Sequence, residues 1–210
     1  MATIEKLLSL TKIIPVIVID DSKHAVQLGE TLVDAGLPVA EVTLRTPESW
    51  LAIEKMLNVQ GLEVGVGSVK SEADITRAKE LGVSFAVSPG FTEAIGKAAQ
   101  VRELTLFPGV STPSEVLSAL ALGFSVLKWF PAESMGGIST LKAISAPFPG
   151  VKFIPTGGIN AKNANDYLAE ACVAAIGGSW MVSRDNLQQE KFEEIKNETR
   201  AAVELVGRKS

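Results

Sequence analysis

Short runs of β-forming residues recur eight times along the chain, and a stretch with helical periodicity follows each of them. Several of the helical stretches end in Gly, a residue that commonly terminates helices. Eight β/α units in series, with no linker and no break in composition, predict a TIM (β/α)8 barrel rather than a doubly wound sheet. The predicted strands lie at 13–19, 39–44, 62–67, 84–87, 103–107, 125–130, 151–155 and 173–177.

Two further helical stretches flank these units. Residues 2–11 are expected to form an extra N-terminal helix that closes the bottom of the barrel, and residues 188–206 are expected to form the last outer helix. The chain has 210 residues, of which 46% are hydrophobic, so it is long enough for one sizeable core. We therefore expect residues 1–210 to form a single α/β barrel domain.

The charge and the leading segment argue against several kinds of partner. The formal net charge of -4 gives no electrostatic reason to expect binding to nucleic acid or to an anionic membrane. Glu5, Lys6 and Lys12 interrupt the apolar residues of the first segment, so it fits neither a signal peptide nor a membrane span. We expect a cytoplasmic protein.

The chain contains one histidine and one cysteine, which limits its chemistry. A zinc site of the usual ligands and a Ser-His-Asp triad are both disfavoured, because only His24 could serve them. His24 lies in DDSKHAVQLGE, at a predicted helix start, and is expected to be exposed to solvent. The apolar surroundings of Cys172 predict a small buried side chain rather than a reactive thiol.

Lys128 lies within the sixth run, FSVLKWFPAES. Strand alternation places Val126 and Phe130 on the same face, and the opposite face is equally apolar, so the lysine is expected to be buried. A buried ammonium carries a large desolvation cost or gives up its proton, and a neutral lysine is a nucleophile. A lysine that reaches water at a strand end, or that pairs with a carboxylate, is the alternative.

The second run carries polar residues at a spacing of two, Glu41, Thr43 and Arg45. Alternate residues of a closed barrel strand face the lumen and the outer helices, and the intervening Val42 and Leu44 suit the helices. Glu41 and Arg45 are therefore expected to point into the lumen. A purely structural Glu41–Arg45 ion pair that plugs the barrel is the alternative to a catalytic role.

The remaining signals follow the predicted strands, at the face where TIM barrels bind substrates. Gly65 and Gly67 in VGVGSVK leave space on the core side of the third run, and Ser68 supplies a hydroxyl at the rim. The glycine pairs of PTGGIN and IGGSW free backbone N–H groups for a phosphate, although turn geometry alone could explain them. Thr112 and Glu115 match a helix capping box.

These motifs resemble the KDPG/KHG aldolase family, the class I enzymes that cleave 2-keto-3-deoxy-6-phosphogluconate. The resemblance covers nearly the whole chain through EVTLRTPE, GVGSV, SPGF, PGVSTPSE, LKWFPAE, PTGGI and GGSW. It implies a cofactor-independent homotrimer that acts on 2-oxo acids and sugar phosphates. The resemblance also implies that Lys128 forms the Schiff base and that Glu41 is the general acid/base.

The resemblance further implies a set of substrate contacts. Arg45 would bind the pyruvyl carboxylate, together with Ser68, which replaces the threonine common in the family and retains its hydroxyl. Pro89 and Phe130 would form the apolar wall of the site, and Thr156 would contact the hydroxylated portion of the substrate. The phosphate would be bound by Gly157, Gly158, Gly178 and Ser179.

The expected reaction is reversible cleavage of 2-keto-3-deoxy-6-phosphogluconate to pyruvate and glyceraldehyde 3-phosphate, with 4-hydroxy-2-oxoglutarate as a further substrate. An aldolase for the phosphogalactonate epimer, a barrel isomerase or synthase that uses Lys128 only as a charge, and a non-catalytic sugar-phosphate sensor are the alternatives. The last two would form no covalent adduct with pyruvate.

Overall fold

A computed structural model of the chain describes residue 8 and residues 11–207. The helix expected at 2–11 therefore lies almost entirely outside the described residues, and it stays a prediction.

Each of the eight predicted runs overlaps a parallel strand, and a ninth short strand, which the sequence did not predict, follows the fifth run. Pro108, which has no backbone N–H to donate, separates this strand from the one within the fifth run. The strands are β1 Ile13–Ile17, β2 Val39–Thr43, β3 Glu63–Gly67, β4 Phe85–Val87, β5 Leu106–Phe107, β6 Gly109–Val110, β7 Val126–Trp129, β8 Lys152–Pro155 and β9 Ile176–Gly178.

Helices follow the strands as the periodicity predicts, with short 3-10 turns at Ser22–His24 and Glu133–Met135. The last outer helix begins at Phe192 rather than at residue 188, because a separate short helix precedes it. The helices are α1 Ala25–Asp34, α2 Ser49–Met56, α3 Glu72–Leu81, α4 Glu93–Val101, α5 Pro113–Ala121, α6 Gly137–Ser145, α7 Ala164–Leu168, α8 Arg184–Gln188 and α9 Phe192–Gly207.

The strands close into a ring. One sheet has the order β5-β4-β3-β2-β1-β9, and a second has the order β6-β7-β8. The chain itself joins β5 to β6, and a parallel bridge between Thr156 and Gly177 joins the end of β8 to β9. The TIM barrel predicted from the sequence is thereby confirmed, with β2 and β7 on opposite sides of the ring.

The outward faces of the strands pack against the helices. Leu127 and Trp129 of β7 are fully buried on that side, and the Trp129 ring packs edge-on against Phe153 at a centroid distance of 6.4 Å. The capping box predicted at the start of α5 is present, with reciprocal hydrogen bonds between Thr112 and Glu115. Within the described residues, no helix has the length and apolar character needed to cross a bilayer.

Two expectations about single residues need correction. His24 is buried, with 7% of its surface exposed, because Phe192 at the start of α9 packs 6.1 Å from its ring and Glu190 lies 3.9 Å from Nδ1. The local helix-start pattern could not show that α9 covers this side chain. Cys172 is half-buried against the core rather than fully buried.

Candidate active site

Lys128 and Glu41 meet inside the barrel. Nζ of Lys128, from β7, lies 3.3 Å from Oε1 of Glu41, from β2, and only 5% and 4% of the two side chains are exposed. The small space around them is otherwise lined by Ile14, Val87, Phe107, Ile154 and Thr156. A lone buried charge is far more costly than a paired one, so each group offsets the desolvation of the other.

Arg45 does not take the position expected for it. Strand β2 ends at Thr43, whose buried hydroxyl donates a hydrogen bond to the carbonyl of Ile17 at 2.9 Å. The chain then leaves the strand, and Arg45 is exposed at the rim, where its Nε donates to Oγ of Ser68 at 3.4 Å. The expectation of a lumen-facing Arg45 is therefore wrong, and Glu41 pairs with Lys128 instead of with Arg45.

The glycines of β3 make room for their neighbours. A Cβ atom at Gly67 would lie 2.9 Å from Cδ of Glu41, and one at Gly65 would lie 2.6 Å from Cδ2 of Phe85. Both separations are closer than real Cβ contacts. Gly67 therefore allows the Glu41 carboxylate to lie against β3, and Gly65 does the same for the Phe85 ring.

A larger cavity of about 440 Å³ opens at the carboxyl ends of the strands. Thr156 lines both this cavity and the small space around Lys128, so the two adjoin. The ring centroid of Phe130, which also lines the large cavity, is 5.1 Å from Nζ of Lys128. The remaining lining residues are Val16, Val18, Arg45, Gly157, Gly158, Ile159, Gly177, Gly178, Ser179, Trp180, Val182, Ser183 and Arg184.

The loop after β8 has a backbone that only glycine adopts readily. Gly157 and Gly158 have φ values of 101° and 81°. The backbone N–H of Glu133 donates to the carbonyl of Gly157 at 3.0 Å, which ties this loop to the segment after β7. The buried Tyr167 hydroxyl in turn donates to the Glu133 carboxylate, and burial together with this hydrogen bond raises the pKa of the Tyr167 phenol.

The loop after β9 lies beside it on the rim. Gly178 is buried, and a Cβ atom there would overlap the indole ring of Trp180. Ser179 is exposed and lines the large cavity. The two glycine pairs predicted from the sequence therefore share one wall of this cavity.

Two other residues predicted to contact the substrate, Ser68 and Pro89, lie outside the described lining of the cavity. Ser68 is connected to the cavity through its hydrogen bond with Arg45. Pro89 is exposed, and its backbone packs against Gly109, the β6 residue paired with Lys128.

Arg184 and Asp20 were missed by the sequence reasoning. Arg184 lines the large cavity, and its Nε donates to Oδ2 of Asp20 at 2.6 Å while Nη2 donates to the other carboxylate oxygen. These hydrogen bonds hold the pKa of the Asp20 carboxyl below its ordinary value. The two residues are 164 positions apart, and the only local signal was an arginine soon after the GGSW motif.

The charged side chains outside this site form no metal cluster in residue 8 and residues 11–207, where no three His, Cys, Asp or Glu side chains come together as ligands. The chemical groups of the site include an amine, a carboxylate, two guanidinium groups, the hydroxyls of Thr156 and Ser179, and backbone amides. An amine beside a carboxylate is suited to carbonyl chemistry through a Schiff base.

Known proteins are similar to this chain in sequence and in architecture. The sequence model of KDPG and KHG aldolases matches residues 4–198. The KHG/KDPG aldolase of Escherichia coli (strain K12) is 42% identical over 201 residues, which cover 95% of this chain and 94% of the relative.

Two solved structures are similar over nearly the whole chain. The KDPG aldolase of Legionella pneumophila, with pyruvate captured as a covalent carbinolamine intermediate, is 40% identical with a TM-score of 0.91, covering 94% of this chain and 96% of that one. The 2-keto-3-deoxy-6-phosphogluconate aldolase of Zymomonas mobilis ZM4, with 3-phosphoglycerate, is 38% identical with a TM-score of 0.90, covering 95% and 94%. The chain therefore belongs to the KDPG and KHG aldolase family and is an aldolase of the Schiff-base class.

Proposed function

We propose that this aldolase cleaves 2-keto-3-deoxy-6-phosphogluconate reversibly to pyruvate and glyceraldehyde 3-phosphate, and that it also cleaves 4-hydroxy-2-oxoglutarate to pyruvate and glyoxylate. The proposal is carried by the buried Lys128 amine, 3.3 Å from the Glu41 carboxylate and adjoining a cavity walled by two glycine loops. The names of the E. coli and Z. mobilis relatives support the same substrates.

Catalysis begins with the amine of Lys128. Glu41, 3.3 Å from Nζ, can take the ammonium proton and so free the nitrogen lone pair for attack on the C2 keto carbon. The protonated Glu41 then gives this proton to the hydroxyl of the carbinolamine, which leaves as water, so that an iminium ion forms and Glu41 is again a carboxylate. The iminium ion is an electron sink for the neighbouring carbon–carbon bond. A carbinolamine with pyruvate has been captured in the Legionella pneumophila relative, which supports this route.

Bond cleavage requires a base at the C4 hydroxyl. Glu41 takes that proton as the electron pair of the C3–C4 bond moves into the iminium, which releases glyceraldehyde 3-phosphate and leaves an enamine. Protonation of the enamine at C3 and hydrolysis of the resulting imine release pyruvate and regenerate the Lys128 amine.

The rim residues orient the substrate around this centre. Arg45, with Ser68 3.4 Å from its Nε, binds the pyruvyl carboxylate. Phe130 forms the apolar wall, and Thr156, which lines both the lumen space and the cavity, contacts the hydroxylated portion. Pro89, which is exposed and outside the described lining of the cavity, stays a prediction for that wall from the family resemblance alone. The phosphate group of the substrate lies against the two glycine-containing loops, at Gly157 and Gly158 after β8 and at Gly178 and Ser179 after β9.

Covalent trapping tests the function directly. Incubation with pyruvate and borohydride should inactivate the enzyme and add a reduced pyruvyl group to Lys128, identified by mass spectrometry, while EDTA should leave cleavage of 2-keto-3-deoxy-6-phosphogluconate unchanged. Lys142→Met, which removes an exposed lysine, is the matched control and should be labelled as wild type. Labelling at another lysine, or no labelling, would contradict the proposal and favour an isomerase or a sugar-phosphate sensor.

The domain organisation, location and partners proposed here rest on composition and charge, and the trimer rests on the family resemblance. We expect residues 1–210 to act as one domain, in the cytoplasm and as a homotrimer, with small molecules rather than nucleic acid or membranes as partners. Light scattering of the purified protein measures the oligomeric state, and a mass near three times 22.2 kDa is the expected result.

A further inference from the structure

We propose that Arg184 binds the distal phosphate of the substrate and sets the preference for phosphorylated substrates over shorter dicarboxylic ones. The inference rests on the proposed function, because it assigns a residue to the phosphate end of that same site. Its structural basis is the position of Arg184 on the cavity wall and the way Asp20 holds it.

The glycine loops alone leave a phosphate poorly compensated. Backbone N–H groups donate hydrogen bonds to a phosphate but carry no net charge, whereas a phosphate monoester near pH 7 carries a charge of about -1.5 to -2. Arg184 lines the same cavity as both glycine pairs and Ser179. A guanidinium group there adds positive charge, which it shares with the Asp20 carboxylate, and N–H donors that match phosphate oxygens.

Asp20 fixes the guanidinium without blocking it. Its carboxylate accepts from Nε and Nη2 of Arg184, and it also accepts from Nε2 of Gln188 at 2.9 Å. A guanidinium has five N–H donors, so three remain for a ligand. Since the arginine is already held in place, phosphate binding orders fewer side-chain torsions and loses less entropy.

The charge of the cavity wall agrees with this role. Arg45 and Arg184 both line the cavity. Among the described residues, no Asp or Glu side chain lines it, and Asp20 also lies outside the lining. Arg45 follows β2, whereas Arg184 follows β9, and β1 lies between these two strands in the sheet. The two cations therefore flank a cavity that is suited to a molecule with an anion at each end.

Substrate length explains why Arg184 would discriminate. The second anion of 4-hydroxy-2-oxoglutarate is a carboxylate bonded directly to C4, but the phosphate of 2-keto-3-deoxy-6-phosphogluconate is two carbons farther along, at C6. With C1 bound at Arg45 and C2 at Lys128, only the longer substrate extends to the wall formed by Arg184 and the glycine loops. Arg184 then lowers KM for the phosphorylated substrate and has little effect on KM for the shorter one.

The test compares Arg184→Gln with wild type on both substrates. Loss of a charge-assisted contact should raise KM for 2-keto-3-deoxy-6-phosphogluconate by about ten-fold or more, with kcat nearly unchanged, as expected for a group that binds substrate and transition state equally. KM for 4-hydroxy-2-oxoglutarate should change by less than about two-fold, and Arg184→Lys should recover part of the loss. Arg77→Gln, which removes an exposed arginine paired with Glu54, is the matched control and should leave both KM values unchanged.

The outcomes separate this inference from the function on which it rests. If wild type cleaves neither substrate, the proposed function fails and the inference fails with it. If wild type cleaves both and Arg184→Gln shows equal KM changes on both substrates or none, only the inference is overturned, and the Asp20–Arg184 pair is a structural link between the loops after β1 and β9. If Arg184→Gln does not fold, the same KM comparison on Arg184→Lys decides.

Discussion

Nζ of Lys128 and Oε1 of Glu41 lie 3.3 Å apart, although the two residues are 87 positions apart in the sequence and their strands lie on opposite sides of the barrel. At this distance a proton can pass between the amine and the carboxylate. A structural ion pair and a catalytic pair would look alike here, so the two interpretations must be separated by kinetics.

The kcat of the Glu41→Gln variant separates a catalytic role of Glu41 from a purely structural one. If Glu41 is the general base, this isosteric change should lower the kcat of the folded protein by roughly 100- to 10,000-fold, the usual range for a positioned proton-transfer group. If Glu41 only offsets the charge of Lys128, the variant should lose stability and the folded fraction should keep a nearly normal kcat. Steady-state kinetics on protein verified by circular dichroism makes the measurement.

The trapping reaction provides the control for that variant. Glu41→Gln retains Lys128 and should still be labelled by pyruvate and borohydride, more slowly if Glu41 assists imine formation. Lys128→Met should lose both labelling and turnover, and its free energy of unfolding should be lower than that of wild type, because the Glu41 carboxylate is left buried without its partner. A Glu41→Gln enzyme with wild-type kcat would refute the assignment of Glu41 as the base.

Gly67→Ala should damage catalysis more than stability. The new Cβ would overlap the Glu41 carboxylate, and a displacement of a catalytic group by about 1 Å can cost roughly 100-fold in rate. Gly65→Ala is the matched variant on the same strand, where the Cβ meets the Phe85 ring and overpacking should cost about 1–3 kcal/mol of unfolding free energy. Urea unfolding and steady-state kinetics of Gly67→Ala and Gly65→Ala test this difference. Similar kcat values for the two variants would contradict it.

Gly158→Ala should act on the phosphorylated substrate. Gly158 has φ 81°, where a Cβ costs about 1–2 kcal/mol, and the new atom would also contact the Glu133 side chain. We expect KM for 2-keto-3-deoxy-6-phosphogluconate to rise far more than KM for 4-hydroxy-2-oxoglutarate. Gly61→Ala, at φ 82° with open space around it, is the control for strain alone. Equal losses on both substrates would point to general misfolding instead.

Glu115 should make the stability of the protein depend on pH. Burial raises the pKa of this carboxyl, but hydrogen bonds from Ser111 and Thr112 outweigh that effect and hold the pKa below its ordinary value of 4.5. The carboxylate therefore contributes its stabilisation fully above pH 4.5, and the contribution is lost as the pH falls through the lowered folded value.

The corresponding variant is Glu115→Gln. It should lower the free energy of unfolding by about 1 kcal/mol at pH 7, the typical worth of a helix cap, and the difference from wild type should shrink below pH 4. Urea unfolding at pH 7 and pH 3 measures it. A difference that stays constant between the two pH values would show that the charge of Glu115 contributes nothing.

Local sequence patterns determined which elements form and which way many side chains point. Eight alternations of β-forming and helical stretches were enough for the barrel, because each parallel strand needs a crossover helix to reach its neighbour. Alternation within 125–130 likewise predicted that Lys128 is buried, which the structure bears out. Thr112 and Glu115, only three residues apart, were sufficient for the capping box.

Tertiary structure alone decided which side chains meet. Glu41 pairs with Lys128 rather than with the nearby Arg45, because closure of the ring brings β2 and β7 to face each other across the lumen. His24 is buried by Phe192, and Arg184 binds Asp20, in each case across more than 160 positions. Local propensity fixes the face of a strand or helix on which a residue lies, but its partner depends on how distant elements pack, which no short stretch of sequence encodes.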